Sequence, residues 1–131
     1  MILGIGTDIV KVARMQAALD RYGDRFAARI LTDVEMTGFR ASGKPAHFLA
    51  KRFAAKEAFV KALGTGFRDG VTLKDLSVTN TDHGQPRFEF TGPMRRLTNR
   101  FQVGESFLSL ADEEDYAIAF VTLLRKLPES P

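Results

Sequence analysis

Apolar positions in the first half of the chain follow helical spacing, and those in the second half mostly alternate. The exception comes first: ILGIGTD at 2–8 reads as a short strand ending at Asp8, its glycines allowing a neighbouring backbone to come close. Val12, Met15, Leu19 and Tyr22 then recur on one face and predict a helix from Lys11 to Tyr22. Gly23 interrupts it, and DRFAARIL supplies another helical turn or two. Thr32 followed by Glu35 is a capping-box pattern that starts a short helix at Asp33. ASGKP is a loop, and Pro45 opens a long helix that closes at Gly64 ahead of the glycine-rich GTGFRDG.

Beyond it, Leu76 and Val78, then Phe88 and Phe90, alternate with polar residues on either side of the turn DHGQP, the pattern of a hairpin. A short helix is expected around GPMRRLTNRF, followed by strands in SFLSLA and YAIAFVTLL and a frayed tail, KLPESP. These elements predict an α+β fold, with an antiparallel sheet, built from the later strands plus the first, packed against the long helix and shorter ones. With 131 residues and no linker or repeat, residues 1–131 are read as a single domain.

Charge changes the picture at the long helix. On a helical wheel Leu49, Phe53, Phe59, Val60 and Leu63 share one broad arc, and Arg52 and Lys56 fall inside it. Glu57 and Lys61 lie just beyond its edge, while Ala50, Ala54, Ala58 and Ala62 form a row that lets another element pack close. Burying unpaired charges costs several kcal/mol, so these four side chains need partners. One solution is internal pairing, such as Glu57 with Lys61; the other is an anionic ligand with several phosphates, with Glu57 on a metal and the GTG backbone facing a phosphate. Asp8 is equally open, since an aspartate ahead of a helix is also a common N-cap.

The net charge of +3 is unevenly distributed: through Lys61 there are 11 Lys/Arg against 6 Asp/Glu, leaving 8 against 10 of the chain's 19 and 16. Lys11, Arg14, Arg21 and Arg25 form a stripe opposite Val12, Met15 and Leu19, either a solvated face or a docking ridge for an acidic protein. The basic residues lack aromatic interleaving or a reading motif, which argues against nucleic acid. The absence of cysteine excludes disulfides, thiolate zinc sites and a cysteine nucleophile. MILGIG lacks the basic lead and the length of a signal peptide, and no run has the length of a membrane span, so a soluble, cytoplasmic protein is expected.

GIGTDIV at 4–10 and FLAKRFAAKEAFVKALGTG at 48–66 resemble the two main motifs of the holo-acyl-carrier-protein synthase family of 4′-phosphopantetheinyl transferases. HGQP at 83–86 and SLADEEDYAIA at 109–119 support the match. The resemblance implies Mg²⁺-dependent transfer of the phosphopantetheine arm of coenzyme A to a serine of an acyl carrier protein in fatty acid biosynthesis, releasing adenosine 3′,5′-bisphosphate. It implies Asp8 and Glu57 as metal ligands, Glu57 and Lys61 as the catalytic pair, and coenzyme A contacts from Arg52, Lys56, Lys61, Gly64, Gly66 and Pro86. Arg14, Arg21 and Arg25 become the expected carrier-binding residues, with Met15 and Phe26 as apolar contacts, and a homotrimer with sites at subunit junctions is expected. Asp112 stands where many relatives of this kind carry a histidine, and His47 and His83 match no catalytic position. The alternatives are a coenzyme A or nucleotide-binding module without chemistry, and a structural trimer whose charges pair across subunits.

Overall fold

The computed structural model describes residues 1–67 and 70–128. In chain order the elements are β1 (Ile2–Lys11), α1 (Val12–Tyr22), α2 (Asp24–Ile30), α3 (Asp33–Ala41) and α4 (Pro45–Leu63). A 3₁₀ turn (Leu73–Asp75), β2 (Leu76–Asn80), β3 (Pro86–Phe90), α5 (Gly92–Arg100), β4 (Val103–Asp112) and β5 (Tyr116–Arg125) follow. The α+β architecture predicted from the pattern is what forms, with one refinement. The strands make two antiparallel sheets: a three-stranded one in the order β1-β5-β4, and the β2-β3 hairpin by itself.

Helix boundaries follow their local chemistry. Thr32 and Glu35 close a complete capping box on α3, Pro45 occupies the first turn of α4, and Gly64 ends α4 in the left-handed conformation at φ 81°. The strands run further than their alternation suggests. β1 continues past Asp8 to Lys11 because Val10 and Lys11 pair with Ala117 and Tyr116 of β5, and β4 begins at Val103, opposite Arg125. Tyr22, expected on the buried face of α1, is instead 56 % exposed, at the helix end, with the Arg21 guanidinium 5.3 Å from its ring. The loop GTGFRDG and the tail KLPESP are covered only in part, since Arg68, Asp69 and residues 129–131 lie outside the described residues.

α4 is the axis of the core, and the alanine row explains how a sheet comes so close to it. A Cβ added at Gly4 would stand 1.9 Å from the Ala62 carbonyl oxygen, and one at Gly6 would stand 2.0 Å from that of Ala58. Only glycine facing alanine lets β1 lie directly on the helix. β5 contributes Ala117, Ala119, Val121 and Leu123 to the same interior and turns Ile118 and Phe120 outward. On another side of α4, Phe59 meets Phe88 and Phe90 of the hairpin at ring-centroid distances of 4.9 and 5.0 Å, which anchors the second sheet.

Candidate functional site

The glycine–alanine contact fixes the register of β1 on α4, and that register brings Asp8 to the second half of the helix. Gly4, Gly6 and Asp8 share the strand face turned to α4. Asp8 therefore does not cap a helix: it lies inside β1, and Lys11 is the N-cap of α1. Its Oδ1 accepts a hydrogen bond from Lys61 Nζ at 2.9 Å, and the same ammonium donates to the Thr7 carbonyl oxygen at 3.1 Å. Glu57, one helical turn before Lys61, is near enough to feel both. Partial burial, then the Asp8 carboxylate, raise the pKa of its carboxyl above the ordinary value, while Lys61 opposes the shift. The internal pairing of Lys61 is thus with Asp8, across the fold.

This corner can hold a hard cation. The Asp8 carboxylate and the Lys61 ammonium meet at a surface where they are 17 % and 54 % exposed, with the Glu57 carboxylate one helical turn away on α4. Among the described residues no third acidic, histidine or cysteine ligand joins them. A pair of carboxylate oxygens with room for further oxygen ligands suits Mg²⁺, which keeps several waters and phosphate oxygens in its shell.

The other expected ligand contacts divide. Lys56 faces no ligand: its side chain is 0 % exposed, and Nζ donates to the Ile30 carbonyl at 2.6 Å, to Glu35 Oε1 at 2.6 Å and to the Leu73 carbonyl at 2.9 Å. An ammonium has three protons, and all three are engaged inside the protein. Burial lowers the Lys56 pKa and Glu35 opposes the shift. Gly64 closes α4 as its position predicts, its N–H donating to the Val60 and Lys61 carbonyls. Gly66 is exposed with φ 66°, and Pro86 opens β3 opposite Asn80 in the second sheet.

Arg52 is the unresolved cation of the helix. It is 8 % exposed, its guanidinium stacks 4.4 Å from the Phe48 ring centroid, and its Nε is buried without a hydrogen-bond partner among the described residues. Burial lowers its pKa, with Glu35 opposing the shift. Close by in sequence, Lys51 Nζ meets Asp112 Oδ1 at 3.4 Å, which gives the residue at the histidine position a cationic partner. His47 is half-buried on α4, not a free surface residue, and its Nε2 lies 3.1 and 3.2 Å from the Glu113 and Glu114 carbonyl oxygens. These contacts fasten the acidic β4–β5 turn to α4. Sequence spacing missed them because the partners are brought together only by the sheet.

On the far side, Arg14, Arg21 and Arg25 are exposed on α1 and α2, whereas Met15 is buried in the core and cannot contact a partner. Phe26 is half-buried.

Residues 4–121 match the 4′-phosphopantetheinyl transferase superfamily. A holo-[acyl-carrier-protein] synthase of Halorhodospira halophila is 56 % identical over 124 residues, covering 95 % of this chain and 98 % of that protein. The crystal structure of holo-[acyl-carrier-protein] synthase from Neisseria meningitidis superposes with a TM-score of 0.90 at 42 % identity, covering 95 % of this chain and all of that one (100 %). A Bacillus anthracis holo-(acyl-carrier-protein) synthase in complex with CoA (3′,5′-ADP) gives 0.80 at 34 % identity over 96 % and 99 % of the two chains. With motif, register and fold in agreement over nearly its whole length, the chain belongs to the holo-[acyl-carrier-protein] synthase family of 4′-phosphopantetheinyl transferases.

Proposed function

We infer that the protein transfers the 4′-phosphopantetheine group of coenzyme A to a serine hydroxyl of an apo acyl carrier protein and releases adenosine 3′,5′-bisphosphate. The observation that carries this reading is the Asp8–Lys61 pair that joins β1 to α4 one helical turn from Glu57, whose carboxyl feels the Asp8 charge. Family membership and the coenzyme A complex of the Bacillus anthracis relative support it.

Asp8 and Glu57 are proposed to hold Mg²⁺, which would supply charge neutralisation at the diphosphate and orient the attacked phosphorus. Lys61 is proposed to act on the same phosphates. It has two acceptors among the described residues, which leaves one N–H of its three for a phosphoryl oxygen or the departing bisphosphate. Arg52 is the proposed second cation for coenzyme A, since it forms no ion pair among the described residues. The attacking hydroxyl belongs to the carrier protein, so the chain need supply no nucleophile. Arg14, Arg21 and Arg25 are proposed to meet the carrier's acidic surface, with forked guanidinium contacts.

The outer face of the three-stranded sheet bears on oligomeric state. Ile5, Ile9, Phe107, Ile118 and Phe120 are 45–61 % exposed on adjacent strands, an apolar surface of the kind that marks an association site. We propose that other copies cover it in a homotrimer with sites at the subunit junctions. No helix among the described residues is long and apolar enough to cross a membrane. A place in the cytoplasm and in fatty acid biosynthesis follows from the proposed substrates.

The test is the mass of an apo carrier protein after incubation with this protein, coenzyme A and Mg²⁺. A gain equal to one phosphopantetheine group, abolished by a chelator, is expected. An unchanged carrier mass with correctly folded protein overturns the reading.

A further inference from the structure

Lys56 and Glu35 are the best-connected charges in the molecule, and the reaction as derived uses neither. Their ion pair is 2.6 Å long with both side chains at 0 % exposure. Lys56 Nζ also holds the last carbonyl of α2, at Ile30, and the Leu73 carbonyl just beyond the connection that follows α4. Glu35 Oε1 accepts from the Thr32 N–H at 2.9 Å, and Oε2 accepts from the Val78 N–H of β2 at 2.8 Å. Two side chains thus join α2, α3, the 3₁₀ turn and β2 to one point on α4, and that point immediately precedes Glu57.

We propose that the Lys56–Glu35 pair is a positioning device for the coenzyme A site, fixing on α4 the point, Leu73, at which the chain returns after Gly64 and Gly66; the inference rests on the reading of that site given above. The connection leaves α4 at Gly64, carries the exposed Gly66, and returns at Leu73, so its two ends are pinned to the same helix. Val71 is buried and Phe67 packs against the core, but apolar contacts have no direction and leave an irregular backbone free to slide. A hydrogen bond from a sealed ammonium to the Leu73 carbonyl has direction, and it sets where the segment after α4 can lie. For stability alone the arrangement is unnecessary, because replacing a buried ion pair by apolar side chains of similar volume is often neutral or stabilising. What an apolar pair cannot reproduce is the set of bonds to Ile30, Thr32, Leu73 and Val78.

That difference supplies the test. Lys56→Met alone should lose stability, since it leaves Glu35 charged and buried. Combined with Glu35→Met it should regain the part of that loss due to the unpaired charge, while the backbone groups of Ile30, Thr32, Leu73 and Val78 stay without these partners. If the pair positions the site, the double variant, though folded, should show a KM for coenzyme A raised by about tenfold or more, with kcat and the carrier KM changed by less than about threefold. A wild-type KM for coenzyme A in the folded double variant would reduce the pair to a structural role and overturn the proposal. Amide hydrogen exchange gives a second readout that needs no activity. In Glu35→Gln, kept well below its melting temperature, the amides of residues 64–67 and 70–73 should exchange about tenfold faster than in wild type, beyond any change in β5. Unchanged protection there would also overturn the proposal. Absence of transfer by the wild-type protein would instead refute the function, and the exchange measurement would still judge the positioning.

Discussion

Of the three lysine–carboxylate pairs that extend from α4, the two in its second half differ most in burial. Lys56–Glu35 is 2.6 Å long with neither side chain exposed, and Lys61–Asp8 is 2.9 Å long with 54 % and 17 % exposed. Pairing alone does not separate them. The separation lies in the donors left over and in access to water. Lys56 gives its three protons to three acceptors inside the chain, whereas Lys61 gives two to acceptors among the described residues and keeps one at an open surface. A lysine of the helix whose donors are all saturated inside the fold is a structural group, and one with a donor left over is open to the proposed ligand role.

The largest effect that tests this contrast is on stability. Lys56→Met should cost about 3–5 kcal/mol, because the remaining Glu35 carboxylate is then buried without its cation. Lys61→Met should cost less than about 1 kcal/mol, since its pair is half in water. Its transfer rate should nevertheless fall by about 100-fold if the free N–H meets the phosphates. Denaturant unfolding and carrier-modification kinetics on the two variants would settle it. Equal stability losses would end the comparison.

Glu57→Gln comes next, with transfer lost by at least about 100-fold and no loss of stability. The stability part follows from its pKa. The Glu57 carboxyl binds its proton more tightly in the folded chain than in the unfolded one. Its stabilising contribution is therefore complete below the ordinary carboxylate range and disappears as pH rises through the raised value. At neutral pH the ionised group opposes folding, so the uncharged variant should melt at the same temperature as wild type or higher. Metal affinity in the wild type should fall on acidification sooner than at an ordinary carboxylate. A Glu57→Gln protein that melts lower would show that the carboxylate stabilises the fold.

Much of this framework was legible in the sequence wherever the cause was local. The Thr32–Glu35 capping box, Pro45 and Gly64 at the ends of α4, and the five-residue connection of the hairpin all formed as spacing predicts. The alanine row correctly called for a close neighbour, and Gly4 and Gly6 are that neighbour. What spacing could not supply was the partner of Lys56. Glu35 already had a complete local explanation as a capping residue, and its second role appears only when α3 folds back on α4. The strand beyond Asp8 escaped for a similar reason, since its pairing with β5 is set by residues more than a hundred positions away.

The glycine contact offers a smaller perturbation that bears on Asp8 and not on Glu35. In Gly6→Ala the new Cβ would meet the Ala58 carbonyl at 2.0 Å, a backbone atom that cannot swing aside. β1 must lift from α4, costing about 1–3 kcal/mol as overpacking does. Because Asp8 moves with the strand while Lys56 and Glu35 do not, Mg²⁺ affinity should weaken more than the melting temperature suggests. Measured by calorimetric titration of the folded variant, an unchanged affinity would mean that the register of β1 does not position the carboxylate.

The smallest expected effect lies outside α4 and extends the same criterion to a surface. Arg14 is exposed on α1 and takes part in none of the ion pairs formed among the described residues, so its donors are free for another molecule. Arg14→Glu should weaken binding of an acidic carrier protein by about tenfold, while the KM for coenzyme A stays within about twofold of wild type. The residue lies in water, so the stability of the fold should not change. Carrier affinity of the wild type should also fall as salt is raised, and that of the variant should fall less, because one attractive contact has already become repulsive. Parallel losses for carrier and coenzyme A would show instead that α1 supports the site through the fold, and an unchanged carrier affinity would return the basic stripe to a solvated face.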